Sequence, residues 1–242
     1  MSEFTESPLM QLNLNQLSIN AAMEQIRNIE VEDNAEKLPE VVIDGASGQE
    51  HAFMRLSHPV RLILEGSLGN YAFAFNHQTD VQMTGNVGHG VGEGMRSGAL
   101  RIRGNAGDGV GCSMTGGTLA IYGAAGDRCG AAMRGGGIFV RGDVGQETGI
   151  GALGGTIVIG GDAGANLGDA ASNVTIFIRG QAASLAEGVV EAPLRQKEQV
   201  RLGLLLINAS IRGDATDFRR VVPEAMLEAE QSKSGELNPN WR

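Results

Sequence analysis

Hydrophobic and polar positions recur with a period of 19 residues through the middle of the chain. When each unit is counted from a glycine, positions 16 and 18 are apolar in every unit and are separated by one residue of another kind. Apolar residues two apart indicate a strand with one buried face. The pattern therefore predicts one short strand per unit. The apolar pairs are Leu62/Leu64, Val81/Met83, Leu100/Ile102, Leu119/Ile121, Ile138/Val140, Ile157/Ile159 and Ile176/Ile178.

Glycine marks the start of every unit and recurs at positions 4, 8 and 14 in most of them. We expect these glycines to form corners, where a residue without Cβ adopts positive φ easily. On this interpretation Gly104 does not tolerate valine, because a β-branched side chain suits neither positive φ nor a crowded corner. The glycines at position 1 are Gly66, Gly85, Gly104, Gly123, Gly142, Gly161 and Gly180.

The length of the unit selects one repeat architecture. A four-stranded propeller blade needs about 40 residues, and no stretch of helical periodicity fits inside a unit. The prediction is an all-β core, a right-handed parallel β-helix of about seven turns over residues 59–190. Positions 3, 7, 11, 16 and 18 of successive turns then stack into one interior.

Both flanks, 1–58 and 191–242, are expected to cap the solenoid with helices and strands. An uncapped last turn would expose strand edges. The predicted elements are strands at Leu9–Leu14, Val41–Ile43 and Val60–Leu64, helices at Ile19–Ile29, Val200–Ile207 and Ala225–Ala229, and an extended polar tail at 232–242.

Composition narrows the class of protein. Apolar residues make up 42% of the 242 residues and charged residues 19%, which is typical of a globular chain. A net charge of −9 disfavours nucleic acid as the main partner. Two cysteines favour free thiols in a reducing compartment. No apolar run approaches 18 residues and no signal pattern opens the chain, so we expect no membrane association and a cytoplasmic protein.

Motifs that resemble catalytic sites have a simpler interpretation within the repeat. GNAGDGVG at 104–111 has the spacing of a phosphate loop, but a dinucleotide site needs a helix after that loop. Ser67, His77 and Asp80 allow a triad, yet any chain of this size contains such a triple, and no GxSxG elbow is present. We predict structural corners, with no catalytic and no cofactor-binding residue in this chain.

Metal ligands are not predicted either. Cys112 and Cys129 lie at different positions of adjacent units, and the histidines form no close set with them. Aspartates recur near the glycine corners without the calcium nonapeptide pattern, so we expect them to form turns. The histidines are His51, His58, His77 and His89, and the aspartates are Asp108, Asp127, Asp143 and Asp162.

Position 17 points away from the core, because it lies between two buried positions of a strand. It is polar in the first units and apolar in the later ones, which predicts an apolar patch at Phe139, Val158 and Phe177. A partner protein and the chain's own helix near Val200–Ile207 are both open as the occupant of this patch. The residues at position 17 are Gln82, Arg101, Ala120, Phe139, Val158 and Phe177.

Position 19 carries a second outward row, with Arg103, Tyr122, Arg141 and Arg179. The row is either a solvated rim or a docking stripe for an acidic partner surface. The candidate partner interface consists of Phe139, Val158, Phe177, Arg103, Arg141 and Arg179.

The stretch GNVGHGVGEGMRSGALRIRGNAGDGVGCSMTGGTLAIYGAAGDRCGAAMRGGGIFVRG at 85–142 resembles the GXGXG domain. That domain is the C-terminal β-helix of the glutamate synthase large subunit and a free subunit in split enzymes such as N-methylglutamate synthase. The resemblance covers about residues 60–190. DATDFRRVVPE at 214–224 is similar to the C-terminal stretch of the free subunits. A related form of the domain is one of the subunits of formylmethanofuran dehydrogenase and of the formyltransferase/hydrolase complex.

The resemblance implies a non-catalytic scaffold subunit in a hetero-oligomeric oxidoreductase and amidotransferase complex. It implies that partner subunits carry the glutaminase, the FMN and the iron–sulfur cluster, and that this chain carries no cofactor. Met1 is followed by Ser2 rather than by a nucleophilic cysteine, in keeping with that expectation. Two alternatives remain open, namely the corresponding β-helical subunit of a one-carbon formyl complex and an autonomous β-helix binding module.

Overall fold

The computed structural model describes residues 10–32, 37–209 and 211–235. These residues form one sheet of 11 strands, three α-helices and a 3₁₀ turn at Ala215–Asp217. The helices are α1 (Ile19–Arg27), α2 (Gln196–Asn208) and α3 (Glu224–Gly235). The strands are β1 (Met10–Asn13), β2 (Glu40–Gln49), β3 (Arg61–Leu68), β4 (Asp80–Met83), β5 (Ala99–Ile102), β6 (Thr118–Ile121), β7 (Gly137–Val140), β8 (Thr156–Ile159), β9 (Thr175–Ile178), β10 (Val189–Pro193) and β11 (Arg219–Pro223).

Strands β3 to β9 pair in parallel, and each is displaced by one 19-residue unit from the next. Val81 lies opposite Leu100, and Met83 lies opposite Ile102. Shorter bridges repeat at position 3, where Val87 pairs with Ala106 and Ala106 with Ala125. The structure therefore confirms the predicted right-handed parallel β-helix of about seven turns.

The interior is a stack of equivalent side chains. Every residue at positions 16 and 18 is at most 1% exposed, and the methionines at position 11 are fully buried. Because adjacent parallel strands lie about 4.8 Å apart, each inward side chain packs on its equivalents in the turns above and below. The core is thus continuous from one end of the solenoid to the other.

Polar side chains at the corners form two hydrogen-bonded ladders along the outside of the turns. At position 5, Asp108 Oδ1 accepts from the backbone N–H of Asp127 at 2.9 Å. At position 2, Asp143 Oδ1 accepts from the backbone N–H of Asp162 at 2.8 Å. These hydrogen bonds join residues 19 apart, so the aspartates hold successive turns of the solenoid together, a role that goes beyond the local turns predicted for them.

Except at Gly66, where φ is 107°, the glycine at position 1 is required by crowding and not by positive φ. Gly104 is absent from the positive-φ residues, and a Cβ placed there would overlap the carbonyl oxygen of Gly85 and the side-chain oxygen of Asn86. At Gly142, an added Cβ would lie 2.8 Å from the carbonyl oxygen of Gly123. The expectation of positive φ at Gly104 is therefore wrong. Positive φ occurs at position 8, as at Gly111, where it is 62°.

The N-terminal end is closed by α1. Ser18 caps this helix, because its Oγ accepts from the backbone N–H of Ala21 at 3.2 Å. Met23 and Ile26 are buried in the common core. Strand β1 pairs in parallel with β2, and β2 pairs in parallel with β3, so the parallel sheet extends N-terminally beyond residue 59.

The C-terminal end is closed by two antiparallel strands that the sequence pattern did not indicate. Strand β11 pairs with β9 on one side and with β10 on the other, and Val189 and Val221 cover the end of the core. The helices predicted at Val200–Ile207 and Ala225–Ala229 lie within α2 and α3. Leu9 and residues 236–242 of the predicted tail lie outside the described residues.

Candidate partner-binding surface

The apolar patch at position 17 lies under the chain's own helix α2. Phe139, Val158 and Phe177 are between 0% and 3% exposed and share a cluster with Leu202 and Leu206. Of the two occupants left open by the sequence, the C-terminal helix is the one that the structure shows. The predicted interface residues Phe139, Val158 and Phe177 are therefore part of an internal contact.

Polar contacts cap the start of α2 and fix the middle and the end of the helix on the solenoid. At its start, Arg195 donates its backbone N–H to Glu198 Oε2 at 2.8 Å. Beyond its end, Tyr122 donates its hydroxyl to the carbonyl oxygen of Ala209 at 2.8 Å. Between them, Arg201 Nη2 donates to Thr156 Oγ1 at 3.3 Å. Tyr122 of the position-19 row thus has a structural role.

The opposite side of α2 is apolar and faces outward. Val200, Leu204 and Ile207 are 65%, 60% and 73% exposed. Their spacing of four and three residues places them on one side of the helix. We call these three residues the outer ridge. A row of large exposed apolar residues on one helix face is a feature of interaction surfaces.

Beside the end of α2, the outward side of the solenoid forms a groove of about 1060 Å³. Gln82, Tyr122 and Asn208 also line it. None of the described residues that line it is acidic. Asn208 directly follows Ile207, so the groove begins where the outer ridge ends. We call it the arginine groove, after Arg61, Arg101, Arg103, Arg141, Arg179 and Arg212.

Most of these arginines have no partner within the described chain. Arg179 donates from Nε to the carbonyl oxygen of Gly160 at 2.8 Å and lies 5.9 Å from the centre of the Phe218 ring. The side chains of the other five make no hydrogen bond and no ion pair with any described residue. The structure thus brings Arg103, Arg141 and Arg179 together, as position 19 predicted.

The arginines of the C-terminal cap are different, because they are paired. Arg220 is 4% exposed and binds Glu230 through two contacts, of 2.7 and 3.1 Å. Arg195 binds the same carboxylate at 2.8 Å and Glu198 at 2.6 Å. The hydrogen bond from Arg220 lowers the pKa of Glu230. These charged side chains are paired with one another and stabilise the cap, in contrast to most of the arginines that line the groove.

Neither of the two cysteine thiols is activated. Cys129 is fully buried, and desolvation raises the pKa of its thiol far above the usual value. Cys112 is partly buried, and desolvation with the nearby charge of Glu93 raises its pKa as well. Because the thiolate is the reactive form, both thiols are poor nucleophiles and poor ligands near neutral pH.

The histidines occupy structural positions. His89 Nδ1 accepts from the backbone N–H of Asp108 at 2.9 Å, within the position-5 ladder. His77 Nδ1 contacts Ser57 Oγ at 3.0 Å, a pair that the sequence did not indicate. Ser67 instead accepts from the backbone N–H of Asn86, so the Ser67, His77 and Asp80 triple is not assembled as a triad. No carboxylate contacts His77 among the described residues, and a nucleophile–base pair needs such a group to orient it.

The described part of the chain contains neither a metal cluster nor a membrane-spanning helix. Within it, no three His, Cys, Asp or Glu side chains are grouped as metal ligands. None of its helices has the length and hydropathy needed to cross a bilayer. In comparisons with known proteins, no family model and no curated sequence matches the chain.

Proposed function

We propose that this chain is a non-catalytic scaffold subunit that holds the catalytic subunits of a glutamate synthase-like complex. The observation that carries the proposal is the pairing of the outer ridge with the arginine groove. Three large apolar side chains and five guanidinium groups that have no partner among the described residues are presented on one side of the solenoid. Such a combination of apolar and charged groups is typical of a surface that another protein covers.

The resemblance of residues 85–142 to the GXGXG domain supports the choice of complex. In that family the β-helix carries no catalytic group and holds a glutaminase and an FMN synthase domain in register. The raised pKa values of Cys112 and Cys129 agree with a structural chain, since neither thiol is activated. FMN and the iron–sulfur cluster then belong to partner subunits, and cytoplasmic assembly is part of the proposal.

The test is to purify the tagged chain from its native cells and identify the proteins that accompany it. We expect a glutaminase-type subunit and a subunit whose absorption spectrum shows FMN. The chain expressed alone should neither hydrolyse glutamine nor contain flavin. A metallohydrolase or a pterin-dependent formyltransferase as companion would assign the chain to a one-carbon formyl complex instead. Recovery without any companion would favour an autonomous binding module, and stoichiometric FMN in the single chain would refute the scaffold role.

A further inference from the structure

The arginine groove concentrates positive charge in an acidic protein. The whole chain has a net charge of −9, yet six arginines and no described acidic residue line this one groove. Each guanidinium carries five N–H donors in a planar fork that matches a carboxylate or a phosphate. Five of the six have no partner in the described chain, so their donors are available to a ligand.

The groove is longer than a small anion. Its lining extends from Arg61, at the start of β3, to Arg179, just after β9. Those strands are six steps apart in the sheet, which corresponds to about 29 Å at 4.8 Å a step. A single phosphate or dicarboxylate contacts only a part of such a groove. An extended chain of about nine residues covers its full length at 3.3 Å a residue.

The arginines at position 19 are regularly spaced. Arg103, Arg141 and Arg179 occupy every second turn, so their backbones are about 10 Å apart along the axis. This distance matches one turn of a polyproline II segment, which has three residues per turn at about 3.1 Å a residue and therefore directs every third side chain to the same side. The groove is less basic at Arg61, because Glu40 and Asp80 stand opposite Arg61 on the two neighbouring strands.

The aromatic content of the groove lining favours a protein ligand over single-stranded nucleic acid. Tyr122 is the aromatic residue of the lining, and its hydroxyl is already bonded to Ala209. Single-stranded nucleic acid is bound by rows of aromatic side chains on which bases stack.

We infer that the arginine groove binds an acidic segment of a partner protein in the polyproline II conformation, with carboxylates at about every third residue meeting Arg103, Arg141 and Arg179. The inference rests on the proposed role of the chain in holding partners and names the chemistry of the contact. Bidentate pairs with guanidinium groups fix the segment along the axis. The outer ridge at the end of the groove then contacts apolar residues that flank the segment.

The test uses the full chain and a fluorescein-labelled twelve-residue peptide, four repeats of Glu-Gly-Ser, in anisotropy titrations. The matched peptide carries Gln in place of each Glu. We expect binding of the glutamate peptide only, and weaker binding as salt is raised. The double variant Arg103→Gln/Arg141→Gln should weaken binding about tenfold or more, since it removes two charged pairs.

The control variant is Arg96→Gln/Arg134→Gln. It removes the same charge from two exposed arginines that do not line the groove, and it should leave binding unchanged. Equal loss in both variants, or no binding of the glutamate peptide, would overturn the inference. Displacement of the peptide by millimolar phosphate, or tighter binding of a twelve-nucleotide thymidine strand, would also overturn it by assigning the groove to phosphate.

The native complex separates this inference from the proposed function. If the Arg103→Gln/Arg141→Gln chain retains its companions in full, the scaffold role stands and the groove is not the contact. If the peptide binds as expected but the chain has no companions in native cells, the scaffold proposal fails while the site remains.

Discussion

At the scale of single residues, the fold depends on positions where nothing larger than glycine fits. A Cβ at Gly104 would overlap backbone and side-chain oxygens of the preceding turn. The turns stack about 4.8 Å apart, so neither turn can move away without breaking the ladder hydrogen bonds on both sides. Gly203, within α2, is the opposite case, because an added Cβ there meets no atom within 4 Å.

Replacing Gly104 by alanine should lower the free energy of unfolding by about 1–3 kcal/mol, as for other overpacked sites. Replacing Gly203 by alanine should leave it unchanged or raise it by up to ~1 kcal/mol, because alanine favours the helix. Urea denaturation of the two variants beside the parent chain measures both effects. Equal stability of the Gly104→Ala chain would show that the turns can separate to admit a methyl group.

At the scale of elements, the two faces of α2 have different roles. The inner face, with Leu202 and Leu206, packs on Phe139 and Phe177 and forms a second core outside the solenoid. The outer face carries the outer ridge, which is exposed. One helix therefore both covers the β-helix and exposes a row of apolar side chains, which we propose as part of a partner-binding surface.

The double variant Phe139→Ser/Phe177→Ser should destabilise the isolated chain. Truncating a buried phenylalanine side chain to a small residue lowers the free energy of unfolding by about 3–5 kcal/mol. The matched variant Leu204→Ser alters the outer face and should change the melting temperature by less than about 2 °C. Differential scanning calorimetry compares them. An unchanged melting temperature in the phenylalanine variant would mean that α2 does not stabilise the fold.

The ion pairs of the C-terminal cap predict that the stability of the folded chain depends on pH. The lowered pKa of Glu230 means that its charge stabilises the folded chain above the pKa of the unfolded state, about 4.3. That contribution is lost as the pH falls through the lower folded value, so stability should decrease below about pH 4.3.

Replacing Glu230 by glutamine should remove about 1.5–3 kcal/mol near pH 7, because hydrogen bonds to the charged Arg220 are lost. It should also flatten the decrease at acid pH. Glu228→Gln, on an exposed position of the same helix, is the control and should keep the parent profile. Denaturant titrations between pH 3 and pH 7 measure both curves. If the free energy of unfolding of the parent and of the Glu230→Gln chain changed in parallel with pH, the stabilising role assigned to the Glu230 carboxylate would be contradicted.

At the scale of the whole molecule, both ends of the solenoid core are closed. The last strand of the β-helix, β9, would offer a free edge if β11 did not pair with it in the antiparallel direction. Free edges pair with other chains, and natural β proteins cover them. At the other end, helix α1 closes the core by burying Met23 and Ile26.

A chain ending after residue 194 lacks α2, β11 and α3 and should self-associate. It would expose the edge of β9 together with Phe139 and Phe177. Size-exclusion chromatography with light scattering distinguishes this from a chain ending after residue 235, which retains every described element. A monomeric shortened chain with an unaltered melting temperature would show that the C-terminal cap is dispensable.

The sequence by itself determined the solenoid, because its contacts join equivalent residues of successive units. A 19-residue spacing of apolar pairs and glycines fixes which side chains stack, so register, core and corners follow from periodicity alone. The sequence also placed Arg103, Arg141 and Arg179 in one row. Of the two reasons predicted for Gly104, the structure confirms the crowded corner but not the positive φ.

The tertiary structure decided what lies outside the repeat. Nothing in the spacing of residues 189–235 shows that β11 turns back on β9, because an antiparallel edge pair follows no period. The contact of α2 with Phe139 and Phe177 depends likewise on how the chain returns along the solenoid. Because the chain returns in this way, Arg101, Arg103 and Arg141 stay uncovered beside Arg212. Residues that are distant in sequence therefore line one groove.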